Sequence, residues 1–208
     1  MKAMITMKRI HLIAIAAVAV CALPVAVQAQ SAKAQIDTPK FDAIPSPDIN
    51  TGYSKSFKPK DWLEIEAKIN IEMKPEPKSG FCDSITVRWF IAVKNPAGQR
   101  GLYRLSKNIN YVNIPLGEDV YVSAYLSPNT IKRLTGSWRA GRGVVDYVGL
   151  EILYNGVKIG EATNKGKVGW WNSPKLSQTD KYPLLSKDET PFRDLWYDRY
   201  AEIQKQRM

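Results

Sequence analysis

Two sets of carboxylates stand out among residues whose type and spacing could do chemistry. Glu64, Glu66 and Glu72 alternate along one stretch, and Asp188, Glu189, Asp194 and Asp198 gather near the C-terminus. A pair of carboxyl groups flanking a glycosidic bond is the machinery of glycoside hydrolysis. Each set also has a plainer reading. Alternate residues of a strand share one face, so the first set is a wetted strand surface. Acids near a helix start offset its dipole. Composition closes the other routes. His11 is the sole histidine and lies in a segment that reads as an export signal. The mature chain then holds no imidazole for Ser-His-Asp or Cys-His catalysis. A zinc site would need carboxylates and one thiol, outside the usual Cys and His sets. Neither a glycine-rich phosphate loop nor an acidic calcium loop is present. The residues predict a non-catalytic protein with no metal and no cofactor. A carboxylate-based enzyme acting on glycans is the alternative.

Binding chemistry is better supplied. Trp170 and Trp171 are adjacent in a Gly- and Lys-rich segment. Neighbours on a strand point to opposite faces, so one indole is expected in the core and the other outside. An exposed indole stacks on a sugar ring or anchors a protein partner. The stretch 137–143 places Trp138 beside Arg139 and Arg142, and five lysines from Lys158 to Lys181 make the second half basic. Export removes the protein from most nucleic acid, and no nucleic-acid motif is present. The charge suits acidic glycans, anionic cell surfaces or an acidic protein. The expected binding residues are Trp138, Arg139, Arg142, Trp170 and Trp171, and a carbohydrate-binding module is the second binding reading.

The N-terminus sets the compartment. Lys2, Lys8 and Arg9 precede an apolar run from Ile10 to Leu23, Pro24 breaks it, and Val27-Gln28-Ala29 offers short residues at a cleavage site. That order is a secretory signal over residues 1–29. A retained anchor is the competing reading, but a span needs about 20 apolar residues and Pro24 cuts this run short. The mature protein, residues 30–208, is expected in the periplasm or at the cell surface with no stable membrane anchor. Cleavage takes three cations from the formal charge of +10. It also removes Cys21 and leaves Cys82 alone, either as a buried inert thiol or as an intermolecular partner.

The elements that must carry these residues follow from periodicity. Residues 30–60 hold Pro39, Pro45, Pro47 and Pro59 among polar neighbours and read as a flexible leader. From Leu63 to Met73 apolar and polar residues alternate, the pattern of a half-buried strand. A second strand carries Val87, Trp89, Ile91 and Val93 on one face. Shorter strands are expected over 102–106, 109–114 and 120–126. Ser127-Pro128 opens a short helix that Gly136 closes. A strand over 144–154, the turn Asn155-Gly156 and a return over 157–163 make a hairpin, and 167–171 is a last strand. Seven or eight strands joined by turns predict an all-β sandwich over residues 61–172. Residues 173–208 then form a linker and an amphipathic helix, with Thr190-Pro191 at its start and Phe192, Leu195, Trp196, Tyr200 and Ile203 along one face, docked on the domain or on a partner.

The stretch from Lys187-Asp188-Glu189-Thr190-Pro191-Phe192-Arg193 to Asp194-Leu195-Trp196-Tyr197-Asp198-Arg199-Tyr200, with the hairpin from Leu150 to Gly156, resembles small exported immunoglobulin-like proteins encoded beside type IV pilus genes in gut mucin-degrading bacteria. The resemblance implies an immunoglobulin-like domain in pilus-associated surface structures. Its partners would be pilus or other surface proteins, with mucin or acidic glycans as host contacts. It implies no catalytic residues. The antibody pattern of two bridged cysteines around a tryptophan is absent, so the likeness is one of architecture.

Overall fold

The computed structural model describes residues 30–48, 56–96 and 101–205, and the expected signal, 1–29, lies outside them. In chain order the elements are β1 (Ser31–Ile36), β2 (Lys40–Pro45), β3 (Asp61–Lys74), β4 (Phe81–Lys94), β5 (Leu102–Pro115), β6 (Asp119–Leu126), α1 (Pro128–Thr135), β7 (Tyr147–Tyr154), β8 (Val157–Thr163), β9 (Leu176–Gln178) and β10 (Glu202–Ile203). They form two sheets packed as an all-β sandwich, compatible with an immunoglobulin-like fold.

The first sheet is organised on β3, whose inward residues from Leu63 to Met73 are all buried. β6 pairs along one side of it, and β1 and β2 lie end to end along the other. The second sheet runs β8, β7, β4, β5, with β9 and β10 sharing the outer edge of β5. Val87, Trp89, Ile91 and Val93 face β3 across the interior and are fully buried. Each such side chain contributes roughly 1.5–3 kcal/mol when it leaves water. Leu63, Ile65, Ile69, Val87, Trp89, Ile91 and Val148 are all buried.

Local signals hold at two places. Ser127 Oγ accepts the Thr130 N–H at 3.2 Å and caps α1, which has Pro128 at its first position and ends at Gly136. Asn155 and Gly156 both have positive φ, 48° and 78°, as a tight hairpin turn demands.

Several expectations are corrected. Residues 31–45 are not a flexible leader but two edge strands. Ile36 faces Ile69 and Lys40 faces Glu66, so the outer chain carries one residue more than its partner across Asp37–Pro39, a bulge. Adding a strand to an existing edge satisfies backbone groups and needs little apolar surface, which composition alone does not register. The two short strands expected over 102–114 are one strand, β5, held in register by β4. The expected strand over 167–171 is replaced by a 3-10 turn, Trp170–Asn172. The C-terminal amphipathic helix is absent. Its place is taken by 3-10 turns at Lys187–Glu189 and Tyr197–Arg199, followed by β10. Thr190 Oγ1 donates to Lys187 O at 2.7 Å and accepts the Phe192 N–H at 3.2 Å, a local turn in place of the expected helix start. Phe192 then inserts between Trp62 and Tyr125, and tertiary packing outweighs helical spacing.

Candidate partner-binding site

Trp138 stands on the turn that leaves α1. Thr135 Oγ1 donates to Ile131 O at 2.9 Å and accepts the Ser137 N–H at 3.1 Å, and Ser137 Oγ accepts the Arg139 N–H at 3.2 Å. These local bonds fix the loop and leave Trp138 42% exposed. Lys60 Nζ sits 3.8 Å from the Trp138 ring centre, and Lys132 Nζ lies 5.8 Å from it. Lys132 Nζ also donates to Gly136 O. The neighbouring Arg133 lies 5.0 Å from the Tyr182 ring and donates to Lys181 O at 3.1 Å. Arg139 is exposed, and Arg142 borders a hollow beside Lys40, Phe41 and Asp42 on the edge strand. Among the described residues, Lys60, Lys132, Arg133, Arg139 and Arg142 form no ion pair, whereas Lys68, Lys107, Lys158, Arg193 and Arg199 all do. Lys60 and Lys132 thus bring two cations without a carboxylate partner to the exposed Trp138 ring. Trp138, Arg139 and Arg142 are evident in the sequence. Lys60 and Lys132 are not, and they reach the ring from just before β3 and from the last turn of α1.

Trp170 and Trp171 lie elsewhere, on the outer face of the second sheet. Trp171 is fully buried, stacked on Phe90 with ring centres 5.2 Å apart. Its Nε1 donates to Glu151 Oε1 at 3.1 Å, and its carbonyl accepts from Arg104 Nη1 at 2.6 Å. It is a lid over the sheet. Trp170 is half-buried and donates to Thr163 Oγ1 at 3.0 Å. Its ring packs against Tyr147 at 5.5 Å, and Lys165 Nζ lies 4.5 Å from the Tyr147 ring. The aromatic and cation contacts of Trp138 and of Trp170 involve different residues, so these two indoles belong to separate patches, and the expectation that Trp171 binds a partner is corrected because its ring is fully buried.

Glu64 and Glu66 are engaged by a third region, the cover formed by residues 185–200 over the outer face of the first sheet, whereas Glu72 accepts from Gln35 Nε2 at 2.8 Å. Glu64 Oε1 accepts from Tyr125 Oη at 2.6 Å and from Tyr200 Oη at 2.9 Å. Glu66 accepts from Arg199 Nη2 at 2.8 Å and from Tyr200 Oη at 3.0 Å. Burial, together with the neighbouring Glu64 charge, pushes the Tyr125 and Tyr200 hydroxyls well above the ordinary tyrosine range. Lys187 is buried and donates from Nζ to the carbonyls of Arg193 and Leu195, and burial lowers its ammonium below the ordinary lysine range. The stretch from Lys187 to Tyr200 is thus a clasp, with polar groups engaged with β3, β6 and one another.

A family model matches residues 25–207. A crystal structure of a protein from Akkermansia muciniphila is similar, with 37% sequence identity and a TM-score of 0.81, over 86% of this chain and 96% of that one. The chain belongs to that protein's family. No curated protein matches it. Family membership extends across both the sandwich and the clasp.

Proposed function

We propose that this family member is an exported, non-catalytic surface component, associated with pilus assembly or adhesion, that binds an anionic protein or glycan partner. The observation carrying the reading is the exposed Trp138 capped by Lys60, amid cations that have no carboxylate partner among the described residues. An aromatic face beside unpaired cations suits a ligand with both an apolar surface and negative charge. The engagement of Glu64 and Glu66 by Tyr125, Tyr200 and Arg199 argues against a carboxylate-based enzyme. The relative in a gut mucin degrader supports a setting in which acidic glycans are at hand. The test is retention of the mature chain on immobilised acidic mucin glycans and on purified pilus proteins, at low and high salt. Retention should fall steeply once the Debye length drops below about 8 Å, and Trp138→Ala should weaken it by at least ~2 kcal/mol. Retention that ignores both salt and Trp138, or measured turnover of a glycan, overturns the proposal.

A further inference from the structure

Two exposed features on opposite faces of the sandwich take no part in binding through Trp138. The first is on the clasp, outside the first sheet. Trp196 and Tyr197 stand 55% and 62% exposed. Trp196 has φ 51°, a left-handed conformation that a bulky residue adopts only when its surroundings impose it. The imposing contacts are close by. Phe192 stacks on the Trp196 ring at 6.4 Å, the Leu195 N–H donates to Phe192 O at 3.0 Å, and the Arg199 N–H donates to Trp196 O at 3.1 Å. Phe192 is itself clamped against Trp62 and Tyr125. The fold therefore tolerates local strain in a turn that holds an aromatic pair out in water.

The second feature is outside the second sheet. A hollow of about 160 Å³ is lined by Leu102, Tyr147, Trp170, Ser173 and Leu176. All but Ser173 are apolar or aromatic. A cavity of about 150 Å³ accepts a benzene ring, so the hollow is sized for one aromatic side chain. Lys165, Lys167 and Lys175 belong to the surrounding segment and form no ion pair among the described residues. The aromatic pair carries the complementary sign in Asp198, which likewise forms no ion pair there.

We propose that the chain associates with itself head to tail, one ring of the Trp196–Tyr197 pair of one copy seating in the Tyr147–Trp170 hollow of the next and the other ring lying at its rim. Size and charge match, and each surface lacks an occupant of its own. Because the surfaces lie on opposite faces, one copy can use both at once. Such a contact joins unlike patches and generates rows rather than closed two-fold dimers. It does not involve Trp138, so it stands or falls apart from partner binding.

The test is sedimentation velocity across a concentration series. Wild-type mass should rise with concentration, while Trp196→Ala and Trp170→Ala should each weaken association by about tenfold or more, as loss of an interface tryptophan does. An equimolar mixture of the two variants should form a dimer and stop, since each keeps one intact surface and the second pair of surfaces is broken. Should Trp170→Ala lose its fold by circular dichroism, the milder Leu176→Ala takes its place on the hollow side. A wild-type chain that stays monomeric to its solubility limit overturns the proposal. So do variants that associate as tightly as wild type, or a mixture that associates no more than its components.

Discussion

The indole of Trp171 lies flat on the ring of Phe90, with planes 4° from parallel, and the space it fills exists because the neighbouring strand carries no side chain at residue 149. A Cβ placed on Gly149 would run into the Trp171 ring. Gly149→Ala should therefore destabilise the fold by about 1–3 kcal/mol, as overpacking does. Trp171→Ala should cost about 3–5 kcal/mol. Denaturant titration checks both, and equal stability of Gly149→Ala and wild type would show that the lid can shift freely.

The clasp depends on Phe192, which is buried between Trp62 and Tyr125. Phe192→Ala should cost about 3–5 kcal/mol. Hydrogen exchange should locate the damage: amides from Ser186 to Ala201 should lose protection while those of β4 keep theirs. Uniform loss across both regions would mean that clasp and sandwich unfold as one unit.

Alkali should loosen the protein through its tyrosines. Burial raises the hydroxyl pKa of Tyr111, Tyr125 and Tyr200 in the folded state above the ordinary 10.0. A raised folded-state pKa gives stability that is whole below the unfolded value, about 10. That stability is lost as pH rises beyond the unfolded value and towards the folded one, because the unfolded chain releases protons the folded one keeps. The denaturation midpoint should hold steady to about pH 9.5, just under the unfolded tyrosine pKa, and then fall. Tyr125→Phe should make that fall shallower; an unchanged slope would remove Tyr125 from the account.

Cys82 is buried on β4, its thiol donating to Ser84 O at 3.6 Å, and burial pushes its pKa up. A thiol kept protonated and out of water reacts slowly. Alkylating agents should modify it only as the protein unfolds, and Cys82→Ser should cost no more than about 1–3 kcal/mol. Rapid labelling of the native chain, or a reducible dimer, would contradict this.

The sandwich is legible in the sequence because a period of two is hard to imitate: Leu63 to Met73 alternate through nearly an entire strand, and each inward residue is buried. The short helix and the Asn155-Gly156 turn are legible because their chemistry is local. The clasp is not. Phe192, Leu195, Trp196 and Tyr200 recur at helical spacing, yet Phe192 and Tyr200 are held by Trp62, Tyr125, Glu64 and Glu66, far away in the chain. β1 and β2 are hidden for the converse reason, since backbone pairing with β3 orders them and few of their side chains are buried. At the candidate site the tryptophan and its arginines can be picked from the sequence. Lys60 cannot, because it lies far from Trp138 in the chain and no repeating pattern joins them. Its place over the ring comes from the approach of β3 to α1.

The clasp also sets an order of events. Arg199 meets Glu66 across 133 positions of chain, and Tyr200 meets Glu64 across 136. Contacts between residues so distant are slow to form, since a long loop must close before they return any stability. A chain that emerges N-terminus first has β3 in hand long before Phe192 and Tyr200 exist to cover it. Through that interval Trp62 and Tyr125 lack their cover, and a bare aromatic sheet face is open to aggregation. The C-terminal segment therefore acts as a completion step, which makes the unfinished chain, rather than the finished one, the species in need of protection.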